Sequence, residues 1–412
     1  MGDMGNPRIL LVISAQPTPK VLAEVAVGKQ PPRDYTALQQ ELDAEVIHPF
    51  DAQTTRSGRL IKRLFGPFAA LTWAAFCRRH KYDIIYTDTE IVGLTLALLL
   101  KLSLARPGHP RHVTLSHVLS PLKKRIFFRF GIRSHIDTMI VHCESMRQLA
   151  TKKLHLPDER VVKLPYFVDV HFWQPLAPAP ETVDDNVPDP VSKEEKRPMI
   201  CAAGLEYRDY PTFLGAVNGL KVNVQIAAAS AAIFNSPRSR NTGAFPEVPS
   251  NVSVGSYDYT GMRRLYSQAR FVVVPLIQIA GPGGISVILE AMAMGKAVIV
   301  TGTRGQTDVV RDPRNEGRGL VDREWWPGFL DAPDIAETLG CLPTGFYVSP
   351  YDADDMRSTI LYLLDHPEIA EDLGRNGRKV VEACFSREAF TKRFSATILG
   401  EPQLSGILEP IS

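Results

Sequence analysis

Cysteine is scarce in this chain: Cys77, Cys143, Cys201, Cys341 and Cys384 are the five in 412 residues. Their number is odd, their spacing scattered, and no C-x-x-C pair occurs. That argues against a disulfide framework or a zinc site and fits a chain kept reduced. Long hydrophobic runs are missing too. The longest apolar stretches, residues 93–100 and 65–77, are too short or too interrupted to span a bilayer. Residues 1–8 are short and polar and lead into a strand, so no signal peptide is expected. Charge of one sign is also lacking, with 47 Lys+Arg against 45 Asp+Glu and a net +2.

What is present is ordinary for a soluble protein: 44% hydrophobic and 22% charged residues. The length exceeds what one core usually supports, so two domains are expected. The small net charge hides an asymmetry. Residues 1–180 carry 24 Lys+Arg against 15 Asp+Glu, and the remainder 23 against 30. A basic half attracts phosphate-rich surfaces or anionic lipid. The other reading is solvated faces with no single partner.

Strand-like and helical segments alternate along the chain. Strands are predicted first at residues 8–14, 44–47, 82–87, 112–115, 138–142 and 161–164, and helices at 35–42, 57–80, 93–104, 121–130 and 144–154. Pro67 should kink or break the second helix. After a Pro-, Asp-, Glu- and Lys-rich linker at 176–198, strands are predicted at 199–203, 222–228, 252–254, 271–275, 296–301 and 346–349. Helices are expected at 211–218, 259–269, 352–366, 368–384 and 387–398, and residues 317–345, with Trp325 and Trp326, read as an insertion or lid. Such alternation implies two parallel sheets covered on both faces, with a ligand at the carboxyl ends of the strands.

The most informative stretch is residues 281–301, GPGGISVILEAMAMGKAVIVT. A glycine-rich loop runs into a short apolar helix, then into a β-branched strand. Bare amides at a helix start form an anion site, and glycines let a phosphate come close. Gly283 and Gly284 would open that space over the amides of Ile285 and Ser286. The plainer alternative is a tight turn before a helix. Glu290, the one acid in the helix, lies two turns in and is placed to accept from ribose hydroxyls. A lone acid beside a buried stripe needs a partner; the alternative is a surface acid. Together these features suggest a site for a nucleotide diphosphate, in particular a nucleotide sugar.

The order of motifs resembles that of the GT-B glycosyltransferases, specifically the large retaining group called family 4. The likeness is carried by LEAMAMGKAVIV at 289–300, GTRGQTDVV at 302–310, FVVVPL at 271–276, KLPYFVDVHFWQP at 163–175 and AGLEYRDY at 203–210. It implies an α/β fold of GT-B type, two Rossmann-like doubly wound parallel-sheet domains facing a central cleft. An acceptor domain would cover residues 1–175, a linker 176–198 and a nucleotide-sugar domain 199–386. A terminal helix at 387–400 would cross back to the first domain, followed by a tail at 401–412. Two departures stand out. The family usually carries two glutamates eight positions apart here; Glu290 matches the second, and Pro282 stands at the first. The paired-glycine acceptor loop after the first strand is absent from residues 15–29.

The resemblance also assigns roles. Arg208, after the first strand of the second domain, would neutralise the leaving diphosphate; an Arg208–Asp209 surface pair is the alternative. His117, after the fourth strand of the first domain, would contact the transferred sugar, or else be a hydrogen-bonded core histidine. Glu90 would bind acceptor or donor, or serve only as a helix N-terminal acid. Tyr257 or Tyr259 would stack on the base, and Asp308 reads as an N-cap. The catalytic set is therefore His117, Arg208 and Glu290, and the donor set Gly283, Gly284, Ile285, Ser286, Glu290, Arg208 and Tyr257. No D-x-D-type cluster argues for a metal, and no cofactor is expected beyond the nucleotide-sugar co-substrate.

Lys123, Lys124, Arg125, Arg129 and Arg133 interleave with Phe127, Phe128 and Phe130. A basic helix with aromatics reads as a binder of anionic membrane, extended by Arg59, Lys62 and Arg63. The alternative is a surface helix whose Phe side is core. A cytoplasmic chain, peripheral at the inner membrane face, is expected, with no nucleic-acid partner. Sugar, base and acceptor are open: polysaccharide, lipid-linked intermediate and small molecule all fit. Two further functions compete, a non-catalytic nucleotide-sugar binder and a nonhydrolysing nucleotide-sugar epimerase. A nicotinamide dehydrogenase is disfavoured, because a lone Gly281-x-Gly283-x-x-Ser286 is a weak signal and no acid ends the strand at Thr301.

Overall fold

Runs of β-branched and aliphatic residues build the strands. ILLV at Ile9–Val12 and FVVV at Phe271–Val274 are buried along their whole length, as strands covered on both faces must be. The computed structural model describes residues 6–103, 109–119, 122–176, 197–228, 248–306, 309–315 and 342–401, without the side chains of Leu122, Lys123 and Asn315. Most of the expected linker, the Trp325–Trp326 insertion, Asp308 and nearly all of the tail lie outside the described residues.

The chain divides into two units. One comprises Met1–Tyr166, Ala280–Pro282 and Arg387–Ile407; the other comprises Phe167–Ile279, Gly283–Ser386 and Leu408–Ser412. The first contains β1 (Ile9–Val12), β2 (Glu45–Ile47), β3 (Ile84–Thr87), β4 (Arg111–Ser116), β5 (Thr138–Val141) and β6 (Val161–Lys163). They form one sheet in the order β2-β1-β3-β4-β5-β6, parallel throughout. The second contains β7 (Met199–Ala203), β8 (Asn223–Ala227), β9 (Val252–Gly255), β10 (Phe271–Val274), β11 (Ala297–Thr301) and β12 (Gly345–Val348). Its order is β12-β11-β10-β7-β8-β9, also parallel.

Helices of the first unit are α1 (Pro19–Ala26), α2 (Asp34–Glu41), α3 (Arg56–Phe65), α4 (Pro67–Arg78), α5 (Glu90–Leu102), α6 (Leu122–Arg129) and α7 (Glu144–Gln148). The second unit has α8 (Tyr210–Val217), α9 (Tyr259–Gln268), α10 (Ile285–Ala293), α11 (Ala353–Asp365) and α12 (Pro367–Cys384). The last helix, α13 (Arg387–Leu399), belongs to the first unit. There the buried Phe394 ring meets Tyr86 edge-on at 6.4 Å, and Arg111 donates to the Thr397 carbonyl at 3.2 Å.

Two features differ from the sequence reading and one agrees with it. Helix α1 was not anticipated, although Thr18 accepts from the Val21 amide and Pro19 opens the helix, a pairing that favours helix starts. The break expected at Pro67 in the helix 57–80 is present, since Gly66 takes φ 89° and Pro67 begins α4. Residues 167–175, read as part of the first domain, belong to the second unit. The Val168 amide donates to Phe385 O at 2.8 Å, and Arg378 donates to the carbonyls of Trp173 and Ala293 at 2.6 Å each.

Helix α5 lies so close to the sheet that a Cβ on Gly93 would strike the Thr114 and Thr87 hydroxyls. Gly93→Ala should therefore cost about 1–3 kcal/mol, read as a lower urea midpoint. An unchanged midpoint would mean that α5 does not pack this closely.

Candidate active site

Residues 204–209, after β7, are zipped to the segment after β10. The Asp209 amide donates to Pro275 O, and the Ile277 amide to Tyr207 O, both at 3.1 Å. Arg208 and Leu276 form an isolated antiparallel bridge. Asp209 caps α8 through the Thr212 amide and hydroxyl, and the Tyr210 hydroxyl donates to Gly204 O at 2.6 Å. So held, Arg208 turns inward and is only 4% exposed, not part of a surface pair with Asp209. Its Nε donates to Ala203 O at 2.7 Å and its Nη1 to Glu206 O at 2.8 Å. Gly204, at φ 111°, makes room for it, since a Cβ there would collide with the guanidinium. A Cβ on Gly284 would lie 3.6 Å from Nη1. The cation therefore sits at the start of α10.

That helix start is bare. Its N-cap is Gly284 in the left-handed region at φ 76°, and no side chain caps it. The first-turn amides, those of Ile285 and Ser286 among them, have no intrahelical acceptor. Any side chain at 284 would strain the backbone and come within 2.9 Å of Val274. Gly283 is pinned by Gln306, whose Nε2 donates to the Gly283 carbonyl at 2.7 Å. Gln306 Oε1 and Thr303 Oγ1 are buried without a hydrogen-bond partner, unspent capacity next to the glycine loop. Neither residue was named from sequence; the signal was the segment 302–310, whose individual side chains the motif does not rank.

Glu290 has a protein partner, accepting from the Tyr266 hydroxyl on α9 at 3.1 Å. Burial pushes its carboxyl up to about 8, against the opposing pull of the Tyr266 bond and the Arg208 charge. Tyr266 is itself fully buried, its phenol held well above its usual range by burial and by Glu290. At neutral pH this site therefore stores a proton between α9 and α10. The structure brings Arg208, Gly283, Gly284, Ile285, Ser286 and Glu290 together in one unit.

Tyr257 is not among them by any described contact. It follows the edge strand β9, with its ring against Gly255 and Gly261 and a hydrogen bond to the Gln225 side chain. Tyr259 joins the ring cluster of Phe172 and Trp173, at 6.1 and 6.2 Å. The literal Asp352-x-Asp354 match is a helix cap, since Asp352 accepts from the amides of Asp354 and Asp355.

In the first unit, His117 follows β4. Its amide donates to Glu90 Oε2 at 3.0 Å, and its Nε2 lies 3.3 Å from Asp88 O. Its ring stands 5.4 Å from that of His142, which burial pulls down to about 3. Glu90 is 4% exposed and is also bound by Lys124. This ties the loops after β3 and β4 together and makes Glu90 a positioning residue. Lys124 also donates to Val118 O at 3.0 Å. The reading of Lys124 as a membrane-facing cation is thereby corrected: its charge is spent on a buried carboxylate. Phe128 on the same helix is in the core, and Arg133 caps Leu154 O at 2.6 Å. Asp88, not named from sequence as a site residue, is pushed up to about 6 by burial, against its bonds from the Ser14 amide and hydroxyl.

The family described as Glycosyl transferases group 1 matches residues 244–366, a span that contains the glycine loop, α10 and Glu290. No curated protein sequence matches the chain. Among solved structures, sucrose-phosphate synthase from Thermosynechococcus elongatus superposes with a TM-score of 0.62 at 17% identity, covering 95% of this chain and 98% of that one. Anabaena HepE in complex with UDP and glucose gives 0.57 at 14%, covering 95% and 99%. A glycosyltransferase from Rickettsia africae gives 0.57 at 14%, covering 97% and 100%. The fold is the GT-B fold of glycosyltransferases, α/β with two six-stranded parallel sheets. Within it, the sequence match to that family is confined to residues 244–366.

Glu290 also sets a pH dependence. Its folded pKa of about 8 lies above the ordinary 4.5, so the folded state holds a proton that the unfolded chain releases. Stability should fall as pH rises between those values and then level off. In Glu290→Gln this slope should vanish, so that the variant gains on wild type from pH 5 to pH 8 in thermal melts. Parallel pH profiles would refute the stored proton.

Proposed function

We propose that this protein is a glycosyltransferase of family 4 type that moves a hexose from a nucleotide-diphosphate donor to an acceptor hydroxyl. The proposal includes retention of configuration, no metal requirement, and a role in polysaccharide, glycolipid or glycoconjugate synthesis. One observation carries it: the buried Arg208 guanidinium beside the uncapped start of α10, with Glu290 two turns further on. A departing diphosphate needs fixed positive charge that costs no reorganisation when the bond breaks. Arg208 supplies a full charge already anchored to two carbonyls, and the amides of Ile285 and Ser286 supply partial ones. In this reading Glu290 engages the ribose, while the contact of His117 with the transferred sugar rests on the family resemblance. HepE in complex with UDP and glucose makes a UDP-hexose the first donor to try.

A non-catalytic nucleotide-sugar binder is the second reading, favoured by Pro282 at the position of the family's first glutamate. The two readings separate in one series. Wild type incubated with UDP-, GDP- and ADP-sugars at about 100 times the dissociation constant should be stabilised by roughly 2.7 kcal/mol by the correct donor. Slow hydrolysis or transfer of that donor should follow, and Arg208→Ala should lower its rate on the order of 10²–10³-fold. Binding without turnover would establish the second reading. No stabilisation by any nucleotide sugar would refute both.

A further inference from the structure

We propose that α3 seats this protein on an anionic lipid surface. Of its ten residues, RSGRLIKRLF, four are basic and none is acidic. At 3.6 residues per turn, Leu60, Leu64, Ile61 and Phe65 span an arc of about 140°, and Arg56, Arg63, Arg59 and Lys62 fill the opposite arc. The apolar arc is not covered by the fold. Leu60, Leu64 and Phe65 are 58%, 62% and 74% exposed, and Phe68, at the start of α4, is 38% exposed.

This exposure belongs to a fixed helix. Thr55 caps it through the Gly58 amide at 3.0 Å. Gly58 lets α3 sit against the Ala52 carbonyl, where a Cβ would collide. Trp73 Nε1 on α4 donates to Ser57 Oγ at 3.3 Å. The helix is therefore locked along one edge and presents the other.

Charge decides what that edge meets. Arg56, Arg59, Lys62 and Arg63 form no ion pair among the described residues. Arg59 leans on the carbonyls of Gln53 and Thr54, and Lys62 on Gln53 Oε1. These are neutral oxygens that leave the cations uncompensated. Four cations and no acid on one helix would need a matching acidic face on any protein partner. A basic flank beside leucine and phenylalanine is instead the layout of a helix lying in the headgroup plane, where anionic lipid attracts each cation. The site differs from the basic helix α6, where Lys124 faces inward to Glu90.

The test is co-sedimentation of the full chain with vesicles of phosphatidylglycerol and phosphatidylcholine, and with phosphatidylcholine alone. The protein should pellet with the anionic vesicles at low salt. It should stay in solution with the neutral ones, and be released near 0.5 M salt, where the Debye length falls to about 4 Å. Lys62→Ser/Arg63→Ser should weaken partition on the order of thirty-fold, and Leu64→Ser/Phe65→Ser at least as much. Both pairs are exposed, so thermal melts should match wild type and show that the loss is not unfolding. Wild type left in solution at low salt, or variants that pellet as wild type does, would overturn the proposal. So would a dimer in lipid-free sedimentation equilibrium that Leu64→Ser/Phe65→Ser dissolves, which would give the face to a second copy. None of these readouts depends on nucleotide-sugar binding, so their failure leaves the donor site untouched.

Discussion

A guanidinium taken out of water is expensive unless its donors are satisfied and opposite partial charges surround it. Arg208 is such a group, and much of the second unit is arranged to hold it. The loop after β7 is zipped to the loop after β10, so that two backbone carbonyls meet its nitrogens. Gly204 vacates the space it occupies, and Gly284 lies beside it. Burial pulls its pKa down, yet a guanidinium keeps its proton inside a protein. The helix start it adjoins has no capping side chain. The guanidinium and the bare amides concentrate positive potential at one place, and that concentration is what marks it as a site.

The first unit handles its buried charge in the opposite way. Glu90 is neutralised within the fold, by Lys124 and the His117 amide, and so sets the position of two loops. Asp88 receives two bonds on one oxygen and has the other buried without a partner. Two acids two residues apart thus end in different states, one spent on structure and one with unspent capacity. The chain sequence offers no way to rank them, because the partners of Glu90 come from β4 and α6.

Legibility follows the same line. Strands such as Ile9–Val12 and Phe271–Val274 could be read because burial on both faces requires uninterrupted branched residues. The glycine loop and α10 could be read because local chemistry dictates them. What could not be read is what distant segments decide. The burial of Arg208 depends on how residues 204–209 meet 275–277. The partner of Glu290 lies on α9, and the inward turn of Lys124 depends on an acid 34 residues away. Helix α1 is a different kind of miss, since Thr18 and Pro19 announce it locally and short helices are easily passed over. Thr303 and Gln306 lie in between: their segment was legible and their individual duties were not.

The proton that burial keeps on the Glu290 carboxyl has a thermodynamic corollary. If Glu290 engages a ribose as proposed, a carboxyl that carries its own proton must lose it before both oxygens can serve only as acceptors. Occupancy would then expel a hydron into the medium, the apparent heat of association would track the ionisation enthalpy of whichever buffer absorbs it, and affinity would rise toward alkaline solution. Under that reading, acidification of the surroundings would loosen a bound nucleotide sugar through the Glu290 carboxyl.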